Sequence, residues 1–222
     1  MNTFQTAVRE HTSILAAGEK RTLVWMAERL PMWLNSDHLT GLGFVSLIAA
    51  GGLYWASRWY PGMLLAVIVC LALNWFGDSL DGTVARVRNR QRPRYGFYVD
   101  HVLDAFGMAV LTFGIVFSGF MTPVVGLVFL VAYLLLSIEI YLATYTLGKF
   151  HLSYWRFGPT ELRILLAIGN LALLRNPYAN IAGHHVLLFD VGFGIGALGV
   201  LVIAIQAAVK HTRQLYREET LD

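Results

Sequence analysis

Residues 78–104, DSLDGTVARVRNRQRPRYGFYVDHVLD, set Asp78, Asp81, Asp100 and Asp104 inside two long apolar runs, one ending near residue 85 and the next opening near residue 95. Runs of that length read as membrane-crossing helices, and carboxylates at such depth are costly enough to need a reason. The rest of the chain agrees. Of its 222 residues 56% are hydrophobic and 14% charged, with a mean hydropathy of +0.56, whereas soluble chains carry roughly 45–50% and about 25%. A soluble globule of this size could not hide so much apolar surface, and no nucleic-acid partner is expected. The single Cys70 excludes an internal disulfide and a Cys-based zinc site. The first residues lack a continuous apolar core followed by a small-residue cleavage site, so no secretory signal is expected.

Six stretches, roughly 38–57, 61–85, 95–119, 123–147, 158–175 and 186–209, approach the length needed to cross a bilayer. The expected fold is an all-α polytopic membrane protein of six transmembrane helices with short connections. Residues 20–34, KRTLVWMAERLPMWL, mix aromatic and aliphatic side chains with charges and read as a helix lying along the cytoplasmic interface. The chain thus divides into an interfacial segment 1–36, a membrane domain 37–210 and a tail 211–222. The N-terminal segment (Arg9, Lys20, Arg21, Arg29), the 86–94 loop (Arg86, Arg88, Arg90, Arg92, Arg94), the 148–157 loop (Lys149, Arg156) and the tail (Lys210, Arg213, Arg217) put 14 of 17 basic residues on one side. The positive-inside rule then places both termini in the cytoplasm. Asp37 is positioned to N-cap the first span, and Gly192 and Gly196 form a GxxxG in the last.

At about 100° per residue, Asn74, Asp78, Asp81, Gly82 and Ala85 fall in one wedge of a helix, and Gly96, Asp100, Asp104 and Gly107 form a similar stripe on the next. Two acidic stripes able to face one another would repel or take up protons unless cations neutralise them. Oxygen ligands without clustered His or Cys select a hard cation, Mg²⁺ or alternatively Mn²⁺. Two such ions would balance four carboxylates, the arrangement that serves phosphoryl displacement. Small residues at 82 and 85 leave room for a diphosphate. A divalent-cation transporter would also carry intramembrane carboxylates, but would not require that small-residue pocket. Structural pairing of the carboxylates with the Arg-rich loop would not require it either.

The run D-x2-D-G-x2-A-R-x9-G-x3-D-x3-D, matched at Asp78, Asp81, Gly82, Ala85, Arg86, Gly96, Asp100 and Asp104, resembles the signature of the CDP-alcohol phosphotransferases. That resemblance implies a dimeric enzyme of phospholipid biosynthesis with a cytoplasmic interfacial helix, six spans and a site at the cytoplasmic mouth. It implies that Asp78, Asp81 and Asp100, with Asp104 nearby, hold two Mg²⁺. The CDP moiety would lie against Asn74, Asp78, Gly82, Ala85 and Arg86, with Asp37 and Thr40 at the first span. Asp104 is the family's usual base. The D-H-x2-D form here is similar to the eukaryotic choline and ethanolamine phosphotransferases, in which a histidine follows the third Asp, so His101 is a second candidate, imidazole being a competent base near neutral pH. Glu139 and the Glu161–Arg163 segment resemble acceptor or head-group regions of those enzymes. Each has a simpler reading: Glu161 as a first-turn acid favoured by the helix dipole, and Arg163 as an ion pair with Glu139. The sequence leans to CDP-choline or CDP-ethanolamine donating to diacylglycerol, because Glu139 would attract a cationic head group. The alternative has CDP-diacylglycerol donating to a small polar alcohol such as inositol phosphate, glycerol phosphate or serine.

Overall fold

The computed structural model describes residues 8–10, 16–151 and 158–219; Arg156 and the extreme ends of the two terminal segments lie outside them. In chain order the elements are strand β1 (Val8–Glu10), helices α1 (Ala16–Arg29), α2 (Ser36–Ala56), α3 (Met63–Val87), α4 (Pro93–Ser118) and α5 (Pro123–Leu147), strand β2 (Lys149–His151), helix α6 (Pro159–Arg175), strands β3 (Tyr178–Ile181) and β4 (His184–Leu187), and helix α7 (Leu188–Glu218). Five of these helices, α2, α3, α4, α5 and α7, are long and apolar enough to cross a membrane. The protein is a polytopic, mainly helical membrane protein.

The expected span at 158–175 is the exception. Pro159 opens α6 within its first turn, where a missing N–H costs nothing, and Pro177, just past the cap residue Asn176, prevents continuation. The helix therefore has 17 residues, about 25 Å at 1.5 Å per residue, against a hydrocarbon core of about 30 Å. A β-hairpin, rather than a short coil, connects it to α7. β3 and β4 pair antiparallel around Ala182 (φ 50°) and Gly183 (φ 85°), the two left-handed residues of a tight hairpin turn. A second small pairing, parallel, joins β1 to β2. At the other end of the hairpin α7 runs on to Glu218, because Lys, Gln, Arg, Leu and Glu propagate a helix after the apolar run stops.

The cap of α2 also differs from expectation. Asn35, not Asp37, accepts from the backbone N–H of His38 at 3.0 Å, and the His38 ring reaches back to the Asn35 N–H. Asp37 sits inside the first turn and pairs with Arg92. Helix α1 docks through Leu23 and Ala27 onto Leu39, Leu80 and Val84 of α2 and α3, leaving Trp25 facing outward.

Packing centres on α2, which lies against both α3 and α4, while α5 packs on α7 and α6 on α3. The central apolar cluster includes Tyr54, Leu64, Val67, Ile115, Phe129 and Phe193. Within it the Tyr54 hydroxyl donates to Asn170 Oδ1 at 2.8 Å and ties α2 to α6. Glycines set the spacing. A Cβ on Gly77 would stand 2.5 Å from the Leu39 carbonyl oxygen and 2.6 Å from the Gly43 nitrogen, and one on Gly51 would stand 2.7 Å from the Val110 carbonyl oxygen. Gly114 meets the Gly51 backbone in the same way. The Gly192–Gly196 pair does not make such an approach: Gly192 has nothing within 4 Å and Gly196 only touches the Phe129 ring at 3.6 Å. Gly77→Ala is therefore expected to destabilise the fold by about 1–3 kcal/mol through overpacking, measured as a lower Tm of the purified protein. Gly192→Ala should leave the Tm unchanged.

Candidate active site

Asp78 and Asp81 project from α3 and Asp100 and Asp104 from α4 into one pocket, closed on the α2 side by Thr40, Gly43, Phe44 and Leu47, with Asn74 and Leu103 completing the wall. Asp78, Asp100 and Asp104 each offer a carboxylate oxygen within 4.8 Å of the others. Asp81 lines the same pocket but its oxygens are engaged: Oδ2 accepts from the Thr40 hydroxyl at 2.6 Å and Oδ1 from the Gly82 N–H at 2.5 Å. Asn74 is buried, donates to the Gly43 carbonyl at 3.0 Å, and so faces the pocket with its Oδ1. That oxygen accepts from Arg163 Nε at 2.7 Å, while Arg163 Nη2 donates to Asp78 Oδ2 at 2.5 Å. One guanidinium of α6 thus bridges two pocket residues of α3.

The donor set fits a hard divalent cation. Three carboxylates converge from two helices, and no His or Cys belongs to the group. About one helical turn along α2 and α3 from this pocket lies a second cleft, lined by Asp37, Val84, Ala85, Arg88, Arg90 and Arg92 among others. Arg88 is fixed there by donating to the Leu34 and Leu30 carbonyls at 2.6 and 2.8 Å. Arg86 lies on the neighbouring face, donating to the Thr83 hydroxyl at 2.9 Å, with its guanidinium 3.3 Å from where a Cβ on Gly82 would stand.

Other sequence candidates lie elsewhere. His101 is wedged between the rings of Phe97 and Tyr141, with centroids at 4.1 and 4.7 Å. Its Nδ1–H donates to the Phe97 carbonyl at 2.6 Å, and it does not line the pocket. Glu139 pairs with His211 of α7 at 2.5 Å, both side chains being largely buried. The Arg163–Glu139 ion pair, the simpler reading of Arg163, is therefore not formed: Arg163 is held on α3 and Glu139 on α7. Glu161 Oε2 accepts from the Gly158 N–H at 3.0 Å and closes the first turn of α6. The sequence reading missed His211 as the partner of Glu139, since equal depth in two helices does not say which helices are neighbours. It also missed Glu19 of α1, whose Oε1 accepts from Trp75 Nε1 and from the Thr160 hydroxyl, both at 2.8 Å. An acid in the otherwise basic and apolar run around it was the available signal.

The sequence matches the profile of CDP-alcohol phosphatidyltransferases over residues 34–208. The chain belongs to this family. Membership brings a role in phospholipid-synthesising group transfer into view and leaves the cation-transporter reading without support. A curated relative, the archaetidylinositol phosphate synthase of Methanothermobacter thermautotrophicus, is 34% identical over 104 residues, covering 47% of this chain and 50% of that protein. The match spans about half the length of that relative.

The pair on α5 and α7 makes a stability test. His211→Ala would leave the Glu139 carboxylate buried without its donor, which costs about 1–3 kcal/mol, so its Tm should fall. Adding Glu139→Leu to His211→Ala should recover part of the loss. An unchanged Tm in the single variant would mean that the pair contributes nothing to holding α5 on α7.

Proposed function

We propose that this protein is a Mg²⁺-dependent membrane transferase that moves a phosphatidyl-type group from a CDP-linked lipid to the hydroxyl of a small anionic alcohol, releasing CMP. The observation that carries the reading is the convergence of Asp78, Asp100 and Asp104 beside a cleft with a small residue, Ala85, in its wall. In this reading Asp78, Asp81 and Asp100 hold the metal, and Asn74, Gly82, Ala85, Arg86, Asp37 and Thr40 surround the nucleotide. Bound there, two Mg²⁺ supply charge neutralisation for the diphosphate and for the departing CMP. Asp104 takes the proton of the attacking hydroxyl, and the pocket walls hold that oxygen in line with the phosphorus.

Charge supports one substrate direction. The lean to a cationic choline or ethanolamine head group rested on Glu139, and Glu139 is committed to His211. A charged group that reaches the carboxylates from outside their own two helices is Arg163, a cation suited to an acceptor bearing phosphate. The name of the relative points the same way, since archaetidylinositol phosphate carries a phosphorylated polyol. With Glu161 confined to the helix start, Arg163 is the proposed acceptor-binding residue. The same reading takes α6 as a sixth crossing, α1 as an interfacial helix, the site and both termini as cytoplasmic, and the enzyme as a homodimer.

Purified protein in nanodiscs given CDP-diacylglycerol with inositol phosphate or glycerol phosphate should release CMP. CDP-choline or CDP-ethanolamine with diacylglycerol should not; CMP release only in that second arm would overturn the substrate assignment. Asp78→Asn, Asp81→Asn and Asp100→Asn should each lose nearly all turnover while keeping the Tm, because an amide is a poorer ligand for a hard cation than a carboxylate.

The base is tested by pH. With Asp104 in that role, His101→Phe should cost less than tenfold and should leave the pH dependence of turnover at saturating Mg²⁺ unchanged. A limb near the ordinary imidazole pKa of about 6.5, abolished in His101→Phe together with a loss of about 10²–10⁴-fold, would assign the proton transfer to His101 instead.

A further inference from the structure

We propose that Glu19 is a positioning residue that sets the grip of Arg163 on Asp78, so that the N-terminal helix tunes how tightly the carboxylate cluster holds a divalent cation. The proposal rests on the reading of that cluster as a metal site.

A single oxygen of Glu19 accepts two hydrogen bonds, from Trp75 of α3 and from Thr160 of α6, at 2.8 Å each. Both donors are neighbours of the Arg163 bridge. Trp75 is next to Asn74 in sequence, and Thr160 lies three residues before Arg163, while Asn74 and Arg163 bond each other at 2.7 Å. The start of α6 is therefore fastened to α3 twice, once on the pocket residues Asn74 and Asp78 through Arg163 and once on Trp75 through Glu19. Among the described residues, Thr160 and Arg163 provide the side-chain hydrogen bonds that tie residues 158–163 to other elements. Removing the Glu19 fastening leaves Arg163 as the side-chain hydrogen-bonding link of that turn to α3, beside the apolar packing of Leu162. Helix α1 itself would stay docked, since Leu23 and Ala27 remain buried against α2 and α3.

The consequence has a sign. Arg163 donates to the Asp78 oxygen that faces it, and its positive charge opposes any cation brought to the same carboxylate. A looser α6 start weakens that competition, so cation affinity should rise. Damage to the fold would lower it.

The test is titration of the full-length protein with Mn²⁺ alone, monitored by electron paramagnetic resonance, without nucleotide or acceptor. Glu19→Ala should lower the Kd for Mn²⁺ by roughly two- to fivefold, the scale of a partly exposed ion pair. Arg163→Gln should lower it at least as far, and adding Glu19→Ala to Arg163→Gln should change nothing further. Glu19→Gln, whose amide oxygen still accepts both bonds, should match the wild type. Thr160→Val, which deletes one of the two donors, should shift the Kd in the same direction by less, and covers the case in which Glu19→Ala does not fold. A wild-type or raised Kd in Glu19→Ala, or in Thr160→Val if the former is unfolded, overturns the proposal while leaving the metal site intact. If the wild type binds no Mn²⁺ that Asp78→Asn abolishes, the metal reading falls and the proposal with it.

Discussion

Helix α2 contributes no aspartate to the pocket, yet the pocket exists because of it. α3 and α4 each pack extensively on α2 and hardly on one another, so the two acidic stripes meet only as far as α2 brings both helices close. That closeness is a backbone matter. Gly77 brings α3 against the α2 backbone at Leu39 and Gly43, and Gly51 and Gly114 bring α2 against α4, at distances that a methyl group on Gly77, Gly51 or Gly114 would forbid. In a membrane, where lipid competes equally for apolar side chains, such small-residue contacts are what drive helices together. A third helix with a smooth face thus sets the spacing of carboxylates on the other two.

The charges thus assembled are answered locally. Asp81 takes the Thr40 hydroxyl and its neighbour's N–H, and Asp78 takes Arg163. Further along, Glu139 takes His211, and at the mouth Asp37 takes Arg92. Apart from the Gly82 N–H, each partner comes from a different helix or loop than the acid it serves, so these bonds also fasten elements to each other. The pocket differs in that four carboxylates line it and three of them converge within 4.8 Å of one another, an arrangement that suits a cation.

The acidic stripes were legible in the sequence because they depend only on the 3.6-residue period and on the expense of charge in an apolar run, both local properties. Asp78 and Asp81 therefore fell on the correct face, as did Asp100 and Asp104. Pairings between helices were not legible: Glu139 could be assigned a depth but not a neighbour, and the pairing with Glu139 offered as the simpler reading of Arg163 is not the one formed. The α2 cap moved from Asp37 to Asn35 because Asn at that position forms a reciprocal box with His38, a geometry equally open to several polar residues in a row. The short α6 was marked in advance by its two flanking prolines, whose meaning was outweighed by the continuity of the apolar run. The hairpin turn was harder, since Ala182 is not a residue that advertises a left-handed conformation.

The unequal lengths of α6 and α7 carry a mechanical consequence. At 1.5 Å per residue the 17 residues of α6 extend about 25 Å, whereas the apolar part of α7, from Leu188 to Val209, extends about 33 Å before its charged end begins, so α7 matches a hydrocarbon layer of about 30 Å and α6 underreaches it. Where α6 crosses the bilayer, as proposed, hydrophobic mismatch of this kind is relieved by thinning the bilayer beside the short helix. Such thinning would draw the headgroup level toward the start of α6, about one turn from Arg163. A hydrophilic molecule would then have less hydrocarbon to pass on its way to the carboxylates, and the thickness of the surrounding membrane becomes a variable of the enzyme's own operation.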